Sequence, residues 1–189
     1  MNSISVYIEL GWKHLTDLGG YDHMLFLLAL VAGYSIKDWK KLTWLVTAFT
    51  VGHSAALALA VFNLVQVNAT LVEYAIIISI GVLALLKLIN ISISKKLVKS
   101  TKPWYLLVLF FGLIHGLGFS NYLKQIIGSQ DLWVAILGFN IGLELAQITF
   151  VCLALGLLTL LNKFINTKKI TIGVTALVTI WSMFLLINY

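Results

Sequence analysis

The sequence predicts an all-α, polytopic membrane protein: a bundle of six transmembrane helices preceded by a short N-terminal interfacial helix. Three observations carry that prediction. First, 60% of the 189 residues are hydrophobic and 11% charged, against about 45–50% and about 25% in a soluble domain; mean hydropathy is +0.99. Second, the apolar residues form long continuous runs near the ~20 residues a helix needs to cross hydrocarbon, whereas a β-barrel shows alternating segments of about ten. Third, the lysines collect in the short stretches between those runs. Six crossings and their loops use nearly the whole chain. It therefore reads as one transmembrane domain, 1–189, with no room for a soluble catalytic domain.

Residues 3–17 (SISVYIELGWKHLTD) are short and mixed, with Tyr7 and Trp12, the pattern of an amphipathic helix lying at the interface. No basic segment precedes an apolar core there, so a signal peptide is not expected. Spans follow at about 18–36, 40–62, 72–93, 104–123, 132–161 and 170–188. Gly19-Gly20 permits a break where the first span begins. The single proline, Pro103, stands at the start of the fourth span, where a missing N–H costs little. The fifth run is longer than a bilayer requires, so it tilts or projects beyond it.

All 13 basic side chains are lysines. Lys37, Lys40 and Lys41, then Lys87, Lys95, Lys96, Lys99 and Lys102, then Lys163, Lys168 and Lys169 fall to one side of the bundle; only Lys13 and Lys124 fall to the other. The positive-inside rule makes the lysine-rich side cytoplasmic and both termini external. The basic excess is thus an orientation signal, and no nucleic-acid partner is expected. Cys152, the only cysteine, lies in an apolar run and has no disulfide partner within the chain.

Against this apolar background stand His14, His23, His53 and His115, with Asp17, Asp22, Glu73 and Glu144. Ionisable groups in lipid cost several kcal/mol unless paired, hydrated or coordinated, and so mark function. At ~1.5 Å per residue, His23 lies ~8 Å, His115 ~10 Å, His53 ~14 Å and Glu144 ~18 Å below the external ends of their spans. A lone intramembrane histidine can be structural, bonded to a hydroxyl or a carbonyl. Four ionisable residues from four spans at similar depth argue for a shared site. Imidazoles and carboxylates with almost no sulfur suit a borderline divalent ion such as nickel, cobalt or zinc, and a 2+ ion neutralises a buried carboxylate. The expected ligands are His23, His53, His115 and Glu144, with Asp22. His14 and Asp17, three apart on one helical face outside the membrane, read as an external collecting site.

Local spacing adds detail. Asn140, Glu144 and Gln147 share one face of the fifth span. Thr47, Thr50, His53 and Ser54 form a similar stripe on the second, and Thr50 and Ser54 are expected to orient the imidazole. Asn140 and Gln147 are expected to support Glu144 in the same way, with Glu144 as an inward relay. Gly112 and Gly116 flank His115, and Gly138 and Gly142 flank Asn140, both at small-xxx-small spacing. Close packing of the fourth and fifth spans would bring His115 toward Glu144.

Four ordered motifs then become recognisable. Gly11-x-x-His14 followed by GYDHMLFLL (20–28), LVTAFTVGHSAALALA (45–60), FGLIHGLGFS (111–120) and LGFNIGLELAQ (137–147) resemble the first, second, fourth and fifth helices of the HupE/UreJ family. The likeness covers most of the chain. It is to a divergent branch, since Leu15 follows His14 where many members have proline, and seven residues separate His14 from Asp22. The resemblance implies a transition-metal permease rather than an enzyme. Its expected cargo is nickel or cobalt, with zinc, copper and iron left open. It also implies a bacterial cytoplasmic membrane location, an association with hydrogenase and urease accessory systems, and metalloenzyme-maturation partners or a homo-oligomer. By position it points to His14, Asp22, His23, His53, His115 and Glu144. Two other readings of the residues remain. One is an intramembrane zinc hydrolase using Ser54 or Ser120, although no His-Glu-x-x-His pair occurs. The other is a haem protein with His53 and His115 as axial ligands.

Overall fold

The computed structural model describes residues 3–17, 20–94, 102–127 and 132–188, and among them seven α-helices account for nearly everything. These are α1 (Ser3–Thr16), α2 (Tyr21–Val31), α3 (Trp39–Val61), α4 (Ala69–Ser94), α5 (Lys102–Ile127), α6 (Leu132–Leu161) and α7 (Thr167–Asn188). The five from α3 to α7 are long and apolar enough to cross a membrane. They match the second to sixth expected spans, the fifth residue for residue. Large apolar side chains such as Leu153, Ile180 and Ile187 stay exposed on their outer faces, as a lipid-facing surface requires. The protein is multi-pass. Lys95, Lys96, Lys99 and Gly19 lie outside the described residues.

Local chemistry sets the helix ends. Asn68 Oδ1 accepts the Leu71 N–H at the start of α4, and Asn166 Oδ1 accepts the Lys168 N–H at the start of α7, each relieving an orphan donor. Before α3, Ser35 and Asp38 form a capping box, and Lys41 pairs with Asp38 at 2.9 Å. Asn63, with φ 59°, closes α3 in the left-handed region. Its side chain accepts a hydrogen bond from Lys124 Nζ at 2.9 Å, tying the ends of α3 and α5 together.

The first expected span, 18–36, is much shorter in the structure. Its helix, α2, has 11 residues, about 16 Å of rise against a hydrocarbon core of ~30 Å. Gly33, at φ 85°, ends it. Nor does α1 stand apart as a surface helix. A Cβ on Gly142 would overlap the Ile8 carbonyl, one on Gly11 the Phe139 carbonyl, and one on Gly138 would come within 2.8 Å of Tyr7 Cβ. Because Ile4 neighbours Gly138 and Ile8 neighbours Gly142, α1 runs lengthwise along α6 in the same direction.

The second glycine seam also differs from expectation. Gly112 and Gly116 abut the carbonyls of Phe49 and His53, and Gly52 abuts that of Leu109. The fourth expected span therefore packs backbone to backbone on the second, in the same direction, while the fifth packs on α1. Spacing forecast the close contacts correctly but paired the wrong helices.

Candidate metal centre

α1 ends beside the start of α2, and a cluster of imidazoles forms where these two helix ends meet α3 and α5. His14 comes from the last turn of α1, Asp22 and His23 from the first turn of α2, His53 from α3 and His115 from α5. Gly20 makes the tight junction possible: its backbone is not left-handed, but a Cβ there would overlap the His14 carbonyl. Ring centroids are 4.7 Å apart for His14–His23, 4.9 Å for His23–His115, 5.9 Å for His23–His53 and 6.2 Å for His14–His53. His23 is the hub. Two sets could each hold an ion, His14/His23/His53 and Asp22/His23/His115, with potential ligand atoms in each within 4.8 Å of one another.

Hydrogen bonding prepares two of these rings for coordination. His23 Nδ1 lies 3.1 Å from Asp22 Oδ1; the carboxylate accepts its N–H and leaves Nε2 with a bare lone pair. Ser79 on α4 donates its one hydroxyl proton to the Ile76 carbonyl at 2.7 Å. Its oxygen, 3.0 Å from His115 Nε2, is thus an acceptor, so Nε2 carries the proton and Nδ1 is bare. A partner that fixes the tautomer is what orients a metal-binding histidine. The freed atoms, His23 Nε2 and His115 Nδ1, are buried with no hydrogen-bond partner, as are His14 Nε2 and both nitrogens of His53. Orphaned buried polar atoms each cost roughly 1–3 kcal/mol, and several gathered in two groups that share His23 suit a cation.

The surroundings set access and polarity. Phe49 packs against His23, His53 and His115, and Phe139 stacks on His53 at 5.9 Å, giving an apolar wall. On the other side a cavity of about 420 Å³ reaches His14, His23 and His115, its rim carrying Lys13, Asp17, Asp22 and Glu73. At ~30 Å³ per water it has room for a hydrated cation, and its rim carboxylates favour one. The Ser54 and Ser120 hydroxyls donate to the Thr50 and Leu117 carbonyls of their own helices.

Of the residues singled out from sequence, His23, His53, His115 and Asp22 come together. His14 joins them as a ligand candidate instead of standing outside, while Asp17 stays exposed at the cavity rim. Glu144 does not reach the cluster. It accepts a hydrogen bond from Thr47 Oγ1 at 2.6 Å, next to Thr50 Oγ1 donating to Gln147 Oε1 at 2.9 Å. Thr50 and Ser54 bond away from His53, so they do not orient it. Asn140 donates to the Ile136 carbonyl and its side chain lies beside His53, while Gln147 Nε2 is buried without a partner. Two residues escaped the sequence reading. Ser79 is a lone hydroxyl in the run Ile76–Ile80, and its only signal is being polar there. Lys87, counted among the loop charges, is completely buried.

Fold and cluster define a class: multi-pass helical membrane proteins built around a buried imidazole–carboxylate centre. Residues 1–188 match the family profile described as HupE / UreJ protein, and the chain belongs to that family. Membership implies a membrane role in transition-metal transport, or an accessory role to it. No curated protein and no solved structure matches.

Proposed function

We propose that the chain is a permease for a divalent transition metal, nickel or cobalt before zinc, copper or iron, taken up from the external side of the bacterial cytoplasmic membrane. The observation that carries this reading is the convergence of four imidazoles and Asp22 at a helix break, with the tautomers of His23 and His115 set to present bare nitrogens. The ion enters the acid-rimmed cavity, sheds water and is held by His14, His23 and His53 or by Asp22, His23 and His115. Sharing His23 lets it pass between the two sets without being released. Its onward route is the polar seam between α3 and α6, where Thr50, Gln147, Thr47 and Glu144 line up below His53, with Glu144 as the inward relay.

The sixth crossing, in this reading, is α1 and α2 in series: α1 descends beside α6, the chain breaks at the cluster, and α2 completes the passage. Broken helices bind ions at midplane because their exposed termini face the site. Both termini are external, so cysteines at Asn2 and Ser94, with Cys152 replaced by Ser, label from opposite sides of intact cells. The functional test is uptake of nickel and cobalt into proteoliposomes. Wild type accumulates one of them, and His53→Ala and His115→Ala do not; uptake unchanged in both variants overturns the proposal.

A further inference from the structure

The other end of α2 holds a second polar arrangement, unrelated to the imidazoles. Lys87 lies two turns below Ser79 on α4 and is fully buried. Its Nζ donates to the carbonyl oxygens of Leu30 and of Ala32, the latter at 2.9 Å. It also stands 4.7 Å from the centroid of the Tyr34 ring. Both carbonyls belong to the end of α2, where helical partners run out because Gly33 turns the chain away. Among the described residues no carboxylate pairs with Lys87.

The partners favour the charged form of the nitrogen. An ammonium has three N–H groups and no acceptor, and here two carbonyls and one aromatic face receive them. A neutral amine has two N–H groups and a lone pair, and that pair would be aimed at a carbonyl oxygen or at the negative face of the ring. A helix C-terminus and an aromatic face both attract cations. We propose that the C-terminal turn of α2 and the Tyr34 ring form a cage selective for a small primary ammonium. Its occupant is the Lys87 ammonium of the same chain, and this tethered cation locks α2 to α4. Lys87 is accordingly a positioning residue for Asp22 and His23 at the opposite end of the helix. The cage stands on its own contacts; only its effect on His23 rests on the metal-permease reading.

The test empties the cage and refills it. Lys87→Ala deletes the atoms of an n-propylammonium ion, so the probe is n-propylammonium, with n-propanol as the uncharged control of similar size. In full-length protein Lys87→Ala lowers Tm by about 5 °C or more; millimolar n-propylammonium restores most of the loss, n-propanol does not, and wild type responds to neither. Lys87→Met, which keeps the length and removes the charge, is as destabilised as Lys87→Ala. The proposal is overturned if Lys87→Met melts with wild type, or if propanol restores Lys87→Ala as well as propylammonium does. Should Lys87→Ala not fold, wild type with ¹⁵Nζ-labelled lysine decides: one exchange-protected nitrogen coupled to three protons is expected, and its absence overturns the cage. The positioning role is read from the visible spectrum of bound cobalt(II), which Lys87→Ala weakens and n-propylammonium restores. Wild type that binds no cobalt defeats the permease reading and leaves the Tm result to judge the cage; a cobalt spectrum untouched by Lys87→Ala defeats the positioning role.

Discussion

The two ends of α2 meet the same difficulty, polar groups inside an apolar bundle, and resolve it in opposite ways. At the lower end Lys87 Nζ has two carbonyl partners and a ring face beside it. At the upper end several imidazole nitrogens are held in place and left without one. Saturated polar contacts make structure, because a fully satisfied network is rigid. Convergent unsaturated ones make a binding site, because the cost of leaving them open is recovered only when a ligand arrives. One helix of 11 residues thus carries a buried lysine contact at its foot and a candidate cation site at its head.

The largest effect that sharpens this contrast is at the hub. His23→Ala removes a ligand from both candidate sets and is expected to lower nickel or cobalt affinity by more than about 100-fold. His14→Ala or His115→Ala spares one set and costs less; titration calorimetry separates the cases. Equal losses in all three variants would argue for one site with no hand-over. Glu144→Gln should abolish inward transport and leave binding stoichiometry unchanged, since the carboxylate is bonded to Thr47 and stands away from the imidazoles. Uptake equal to wild type would remove Glu144 from the route. Ser79→Ala leaves the ligands in place and removes what orients His115, so affinity should fall about 10–100-fold; Asp22→Asn removes both the group that orients His23 and a candidate ligand of the second set, and should cost more.

The last expected effect is in the seam that carries His53 and His115, and it is read as stability. Gly116→Ala pushes a methyl against the His53 carbonyl, and overpacking of that kind costs about 1–3 kcal/mol. Thermal unfolding should report the loss. Gly173→Ala, inside α7 where a Cβ meets nothing within 4 Å, should cost nothing and add up to about 1 kcal/mol through helix propensity. Equal stability of the two would mean that the α3–α5 seam is looser than it stands.

Much of the architecture was legible because lipid imposes a simple rule, apolar outside and about twenty residues across. The run 132–161 appears as α6 with the same bounds. Depth arithmetic also brought His23, His53 and His115 to one level, where they meet. Pairing was not legible. Small-xxx-small spacing says that a helix face admits a close neighbour without saying which, so Gly112 and Gly116 received α3 and Gly138 and Gly142 received α1. The same ambiguity misplaced Glu144, drawn toward His115 by a contact between α5 and α6 that the glycines do not make. His14 was read as external because α1 resembles a surface helix by composition; its glycine-bearing face is what lets it run along α6 and deliver that imidazole. Lys87 was hidden by the charge rule, which takes every lysine at the end of a run for a loop residue and cannot foresee a cage built by another helix's last turn.

The central claim is that a divalent ion sits among the imidazoles around His23. X-ray absorption at the metal edge of full-length protein loaded with nickel or cobalt tests it most directly. The account predicts a nitrogen and oxygen shell with ring scattering from at least two imidazoles, no sulfur, and loss of the bound metal in His23→Ala. A wild type that takes up no metal, a shell containing sulfur, or a spectrum that His23→Ala leaves unchanged would contradict it.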